Sequence, residues 1–148
     1  MKDSYNIGLI RVVTFSDEDL INLHGKIIER YFPMLKVESR CIDDQPYGVH
    51  DEESEALAVP KIIELARSWG NIDALIISCA GDPAVDELRQ MLNIPVIGAG
   101  ESTALLAKRY GQVFGVHSLV DRMDEDCYKN IRLRGVFNPF EILSRKTK

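Results

Sequence analysis

The stretch "ALIISCAGDPAVDEL" (residues 74–88) ends an apolar run on Cys79, and the two residues that follow, Ala80 and Gly81, are small. A thiol in such a place can serve as acid or base, and small neighbours let a ligand approach the backbone. A helix starting after Asp82 would offer free amides and a partial positive charge. Both lower a thiol's pKa from about 8.5. An ionised Asp82 beside the sulfur would oppose this, whereas as a helix cap it would turn toward the amides. The competing reading is a small apolar residue closing a buried strand, since free cysteine is among the most buried residue types.

A second candidate is "GAGESTALL" (98–106). Gly98, Gly100 and the first amides of the next helix would form an anion nest, with Ser102 and Thr103 adding hydroxyls suited to a carboxylate. It is not a dinucleotide fingerprint, because Thr103 stands where the third glycine belongs and no acidic partner follows at the usual offset. A plain strand-to-helix turn capped by Ser102 is the alternative. Thr14 ends the first strand facing the same crevice, and Ser16 reads as a helix cap. Arg11 is unusual inside an apolar strand: it is either a carboxylate ligand or an outward or salt-bridged edge residue. Gln45 and Tyr47 lie on a loop that could fold over the site. His24 reads as structural and His50 as solvated. His117, at a strand's carboxyl end, is the histidine nearest the expected crevice and could exchange protons near neutral pH. Cys41 and Cys127 read as buried.

Those residues need elements to position them. Residues 6–15, 35–42, 73–79, 94–100 and 112–118 read as strands, with 133–143 as a possible last one. Leu20, Leu23, Ile27 and Tyr31 recur at helical spacing, as do Val85, Leu88 and Leu92. A helix is expected over 52–69, kinked or delayed by Pro60. Asp82 and Pro83 would begin the third helix, Glu101 or Ser102 the fourth, and Gly111 would end it. Val120, Met123, Cys127 and Ile131 have helical spacing too. Alternating strands and helices imply an α/β fold: an open, mostly parallel sheet with helices on both faces. Ligands in such sheets bind beyond the carboxyl ends of the strands.

The totals narrow the function classes. A chain of 148 residues with 45% hydrophobic and 28% charged residues can bury one ordinary core. The net charge of −5, with both signs interspersed, argues against nucleic acid as a partner. No apolar run is long enough for a membrane span, and the start lacks the pattern of a signal peptide. Three widely spaced cysteines with no C-x-x-C pair suggest neither zinc nor a disulfide framework, so a reducing cytoplasm is expected.

The segment "ISCAGDPAVDELRQMLNIPVIGAGESTALLA" resembles the first half of the Asp/Glu/hydantoin racemase family, nearest its hydantoin racemase branch; "IGLIRVVT" and "DDQP" fit as well. The resemblance runs over roughly residues 5–118. It implies cofactor-independent racemisation of a small molecule, without a metal. Two thiols, one per lobe, flank a carbon next to a carbonyl, because inverting a centre needs proton transfer on both faces. Cys79 would be the first-lobe base, with Thr14, Ala80, Gly81, Gly98, Ser102, Thr103 and His117 around the substrate. The chain departs from the family pattern after that. The expected Gly-Cys-Thr-like setting of a second thiol is absent, and Cys127 sits in "DEDCYKN". A first lobe over 1–111 and a partial second lobe or extension over 112–148 are therefore expected. Exposed apolar surface is expected with them, and self-association into a homo-oligomer would cover it. Two alternatives stay open: a non-catalytic carboxylate- or small-anion-binding module, and a one-cysteine relative that decarboxylates or isomerises.

Overall fold

The computed structural model describes residues 2–111. Four strands and four helices alternate along them: β1 (Tyr5–Arg11), α1 (Glu18–Tyr31), β2 (Leu35–Cys41), α2 (Glu52–Arg67), β3 (Ala74–Ser78), α3 (Val85–Met91), β4 (Val96–Gly98) and α4 (Ala99–Ala107). All pairings are parallel, in the order β2-β1-β3-β4. The alternating α/β, mostly parallel architecture expected from the sequence is therefore present. The expected strands at 112–118 and 133–143, the helix bearing Cys127, the second unit over 112–148 and His117 lie outside the described residues.

The β-branched and leucine-rich strands supply a core on one side of the sheet. Ile10, Leu75 and Ile77 pack there with Ala58, Ile62 and Ala66 of α2 and with Val85 and Leu88 of α3. Leu75, Ile77, Ile62 and Leu88 are fully buried. Trp69, just past α2, lies against the same side. Its ring sits 4.3 Å from the Arg40 guanidinium, and its indole N–H donates to Glu38 at 3.1 Å.

The helix α1 covers the opposite side over β2. A Cβ at Gly25 would meet the Ser39 hydroxyl at 2.6 Å and Val37 at 3.1 Å, so the glycine is what lets helix and strand touch. The Leu20–Leu23–Ile27–Tyr31 stripe, read from spacing as the apolar side of this helix, faces solvent instead. The buried contact is Gly25, flanked by half-buried Ile21 and Ile28. Glu29 of α1 accepts the Val37 amide at 2.8 Å, and charged Lys36, Glu38 and Arg40 line the same outer strand. These are devices that blunt a sheet edge.

Element ends differ from the sequence reading for identifiable reasons. The strand β1 stops at Arg11 rather than residue 15, because Val12 and Val13 turn away toward the loop after β2. Asp17, not Ser16, caps α1 and accepts the Asp19 amide at 2.8 Å. Asp51 and Ser54 form a reciprocal capping box at the start of α2, which then runs through Pro60 without a later start. Ala107, three residues before the turn's end, closes α4, so Gly111 is not its cap. No helix among the described residues is long and apolar enough to cross a membrane.

Candidate functional site

The carboxyl ends of β1, β2 and β3 place three residues level with one another, since Arg11 pairs in register with both Cys41 and Ser78. Cys79 is the next residue along. Side chains alternate along a strand, so Ser78 faces α1 while Cys79 leans to the α2 side. There the thiol is half-buried and packs against the core.

The loop that follows is sharp. Asp82 and Ala84 both adopt left-handed backbone conformations, with φ of 52° and 62°. Such conformations cost an L-residue roughly 1–2 kcal/mol, so something must hold them. Asp82 does this by reaching across to α4, where its carboxylate accepts the Gly100 amide at 2.8 Å and the Glu101 amide at 2.6 Å. The first turn of α4 in turn fits the loop only without side chains. A Cβ on Gly98 would fall 2.5 Å from the Asp82 carboxyl carbon, and one on Gly100 would collide with the Ala80 carbonyl. Arg89 of α3 completes the clamp by pairing with Glu101 and donating to the Val96 carbonyl at 2.8 and 3.0 Å.

This arrangement corrects three expectations. Asp82 does not cap α3, whose N-cap is Ala84 and which has no side-chain cap. Two amides of the Gly98–Gly100 nest already hold an anion, and it belongs to the chain itself. Because Asp82 caps α4 from outside, that helix starts at Ala99, and Ser102 and Thr103 fall inside it. Both are exposed, and the Thr103 hydroxyl donates back to the Ala99 carbonyl at 2.7 Å.

The electrostatics of the thiol also differ from expectation. Burial pushes the Cys79 pKa up, and the negative charges of Asp82 and Glu55 push the same way; the Gly81 amide facing the sulfur opposes them and loses. Cys79 is therefore a protonated thiol at neutral pH rather than a ready thiolate. Glu55, which no sequence signal singled out, stands on α2 and is half-buried. Burial and then its neighbours Glu87 and Glu52 raise its own pKa. Asp82 is raised by burial in spite of its two amide partners.

Other candidates are brought to the same end of the sheet with their polar atoms engaged. The Thr14 hydroxyl donates to the Ile42 carbonyl and accepts the Gln45 amide, both at 2.7 Å, while its own amide donates to the Gln45 carbonyl at 3.0 Å. Gln45 is buried and holds the Gly48 and Ser54 carbonyls, so it ties the loop to itself, whereas Tyr47 projects into solvent. Arg11 is not outward and has no salt bridge among the described residues: it is buried, donates to the Leu20 carbonyl at 2.6 Å and lies 5.2 Å from the Phe15 ring centre. His24 does more than pack. Its Nδ1 lies 2.7 Å from the Ser78 hydroxyl, and burial, then the Arg11 charge, hold its pKa below the ordinary histidine value. Ala80 and Gly81 are the exposed residues beside the sulfur. A cleft of about 360 Å³ lies along β2 and the segment after α2, lined by Asn6, Lys36, Arg40, Trp69 and Asn71 among others, and Cys79 takes no part in it.

Comparison with known proteins gives a consistent picture. The family model described as Asp/Glu/Hydantoin racemase matches residues 23–139. A hydantoin racemase of Paenarthrobacter aurescens is 25% identical over 91 residues, which are 62% of this chain and 39% of that protein. A hydantoin racemase of Pseudomonas sp. (strain NS671) is 30% identical over 80 residues, 53% of this chain and 32% of that one. The crystal structure of an allantoin racemase from Pseudomonas fluorescens superimposes with a TM-score of 0.69 at 21% identity, covering 79% of this chain and 50% of that structure. The matched regions span about a third to a half of these relatives.

Proposed function

The chain belongs to the Asp/Glu/hydantoin racemase family, and on that premise we propose that it carries one half of a cofactor-independent proton-transfer site, with Cys79 as its acid/base. The substrate class is a small molecule with an acidic C–H beside a carbonyl, such as a hydantoin, allantoin or an amino acid. The observation that carries the reading is the position of Cys79. It directly follows β3 at the carboxyl edge of the sheet, with exposed Ala80 and Gly81 next to it and the loop behind it clamped to α4. Cys79 acts from one face. The thiolate takes the α-proton, the electron pair moves onto the carbonyl oxygen as an enolate, and the sulfur returns a proton to the same carbon. Inversion requires a second acid on the opposite face. Because the resting thiol is protonated, its base form is a minor species at neutral pH, and the exchange rate rises with pH. The reaction is placed in the cytoplasm, and the apolar residues exposed on α1 support self-association.

The test is exchange of the α-proton of a 5-substituted hydantoin in D₂O, followed by NMR with chiral chromatography alongside. Exchange with retained configuration, lost in Cys79→Ser purified in parallel, is the expected result. Full racemisation would mean that a second acid is present. Exchange undiminished in Cys79→Ser, or none in the wild type, would end the proposal. Binding without exchange would favour an anion-binding module, against which stands the occupation of the Gly100 and Glu101 amides by Asp82.

A further inference from the structure

The exposed side of α1 carries Leu20, Leu23 and Ile27, which are 43, 45 and 47% exposed, in a line that runs on to Tyr31. Their spacing of three and four residues is that of a helix–helix seam. The sheet contact is made elsewhere on the helix, through Gly25, so the stripe is a second apolar side with no partner among the described residues. Its charges are ordered along the axis. Beside the stripe Asp19 stands in the first turn, Lys26 follows and Arg30 lies in the last turn, while Glu18 and Glu29 lie on the side turned away from it.

That order is self-complementary in one orientation only. An antiparallel pair of α1 helices related by a twofold axis at Leu23 sets Leu23 against Leu23 of the second copy and Leu20 against its Ile27. The same register brings Asp19 beside Lys26 of the second copy, on the same flank of the seam, and opposes the two helix dipoles. A parallel pair would instead put Asp19 on Asp19 and Lys26 on Lys26. Within one chain Asp19 and Lys26 already attract each other at 2.7 Å while both remain exposed, so the exchange to an intermolecular pair needs only a change of side-chain rotamer. We propose that α1 is a homodimerisation surface, and that its occupant is α1 of a second copy of this chain, packed antiparallel through Leu20, Leu23 and Ile27. The inference is independent of any chemistry at Cys79.

A one-helix seam is small, below the roughly 1,200 Å² of ordinary stable interfaces, so the dimer is expected to dissociate in the micromolar range. Sedimentation of the full chain across that range tests it. A mass rising toward twice 16.7 kDa is expected. Leu23→Glu should abolish the rise. Leu23 is exposed on the helix, so the variant keeps its fold by circular dichroism. Asp19→Lys should weaken association several-fold, and adding Lys26→Asp should return it toward wild type, because the swapped pair is again opposite in sign. A monomer at every concentration overturns the proposal, and so would residues outside 2–111 covering the stripe, which gives the same result. A dimer that persists in Leu23→Glu, or a double charge variant no tighter than Asp19→Lys, overturns it as well.

Discussion

Asp82 and Gly100 are 18 residues apart and joined by a 2.8 Å hydrogen bond from the glycine amide to the carboxylate. That single link couples the loop after Cys79 to the start of the neighbouring helix. It converts what looked like a vacant anion site into an internal cap, and it fixes the path of a loop that holds two left-handed residues. The position of the thiol thus depends on a carboxylate three residues later.

Removing that carboxylate should loosen the whole corner. Asp82→Ala leaves the Gly100 and Glu101 amides without their acceptor and should cost about 1–2 kcal/mol, the usual penalty for losing a helix cap. Gly100→Ala should cost more, because the added methyl meets the Ala80 carbonyl. Urea unfolding curves of the two variants against wild type provide the comparison, and an unchanged midpoint for Asp82→Ala would contradict the clamp.

The thiol should be slow to alkylate. Burial, then Asp82 and Glu55, raise its pKa above that of an ordinary thiol. At neutral pH iodoacetamide should therefore modify Cys79 more slowly than free cysteine, with the rate still climbing where the free amino acid has levelled off. Peptide mapping by mass spectrometry separates Cys79 from Cys41 and Cys127. Replacing Glu55 by Gln removes one of the opposing charges and should speed the reaction.

Thr14 should behave as a fastener of the loop after β2. Thr14→Val keeps the shape but loses the bonds to the Ile42 carbonyl and Gln45 amide, and should lower stability by roughly 1–3 kcal/mol. Calorimetry would register this as a lower melting temperature. A variant of unchanged stability that fails to bind a hydantoin would instead make Thr14 a ligand contact.

His24 predicts a stability that falls on acidification. Its folded pKa lies below 6.5, because burial and Arg11 disfavour the imidazolium. Above pH 6.5 the ring is neutral whether folded or not, and this contribution is fully present. As pH drops below 6.5 the unfolded chain takes up the proton first, and the contribution is lost as pH falls through the folded value. Subtracting the His24→Gln profile from wild type between about pH 7.5 and 5 isolates the effect. Parallel profiles would mean that the ring titrates alike in both states.

The strands and their alternation with helices were legible because β-branched runs bounded by turn residues leave few other choices, whereas the order β2-β1-β3-β4 was not. The location of Cys79 at a strand's carboxyl end followed from the same pattern. Two kinds of information were not local. Apolar spacing identifies a helix but not which of its sides meets the sheet, and in α1 the deciding residue is Gly25, which carries no hydrophobic signal. Asp82 looked like a cap for the helix next to it, since sequence cannot show a loop folding back onto another helix 18 residues on. The His24–Ser78 pair spans 54 residues, and Glu55 approaches the thiol only through the packing of α2. Arg11 marked itself as odd by its type, yet its carbonyl and ring partners appear only once α1 is placed.

Glu29 of α1 engages the Val37 amide and Arg89 of α3 engages the Val96 carbonyl, so helix side chains occupy backbone groups on both outer strands of the sheet. A strand arriving at either border therefore has to displace a side chain of this chain before those groups can pair.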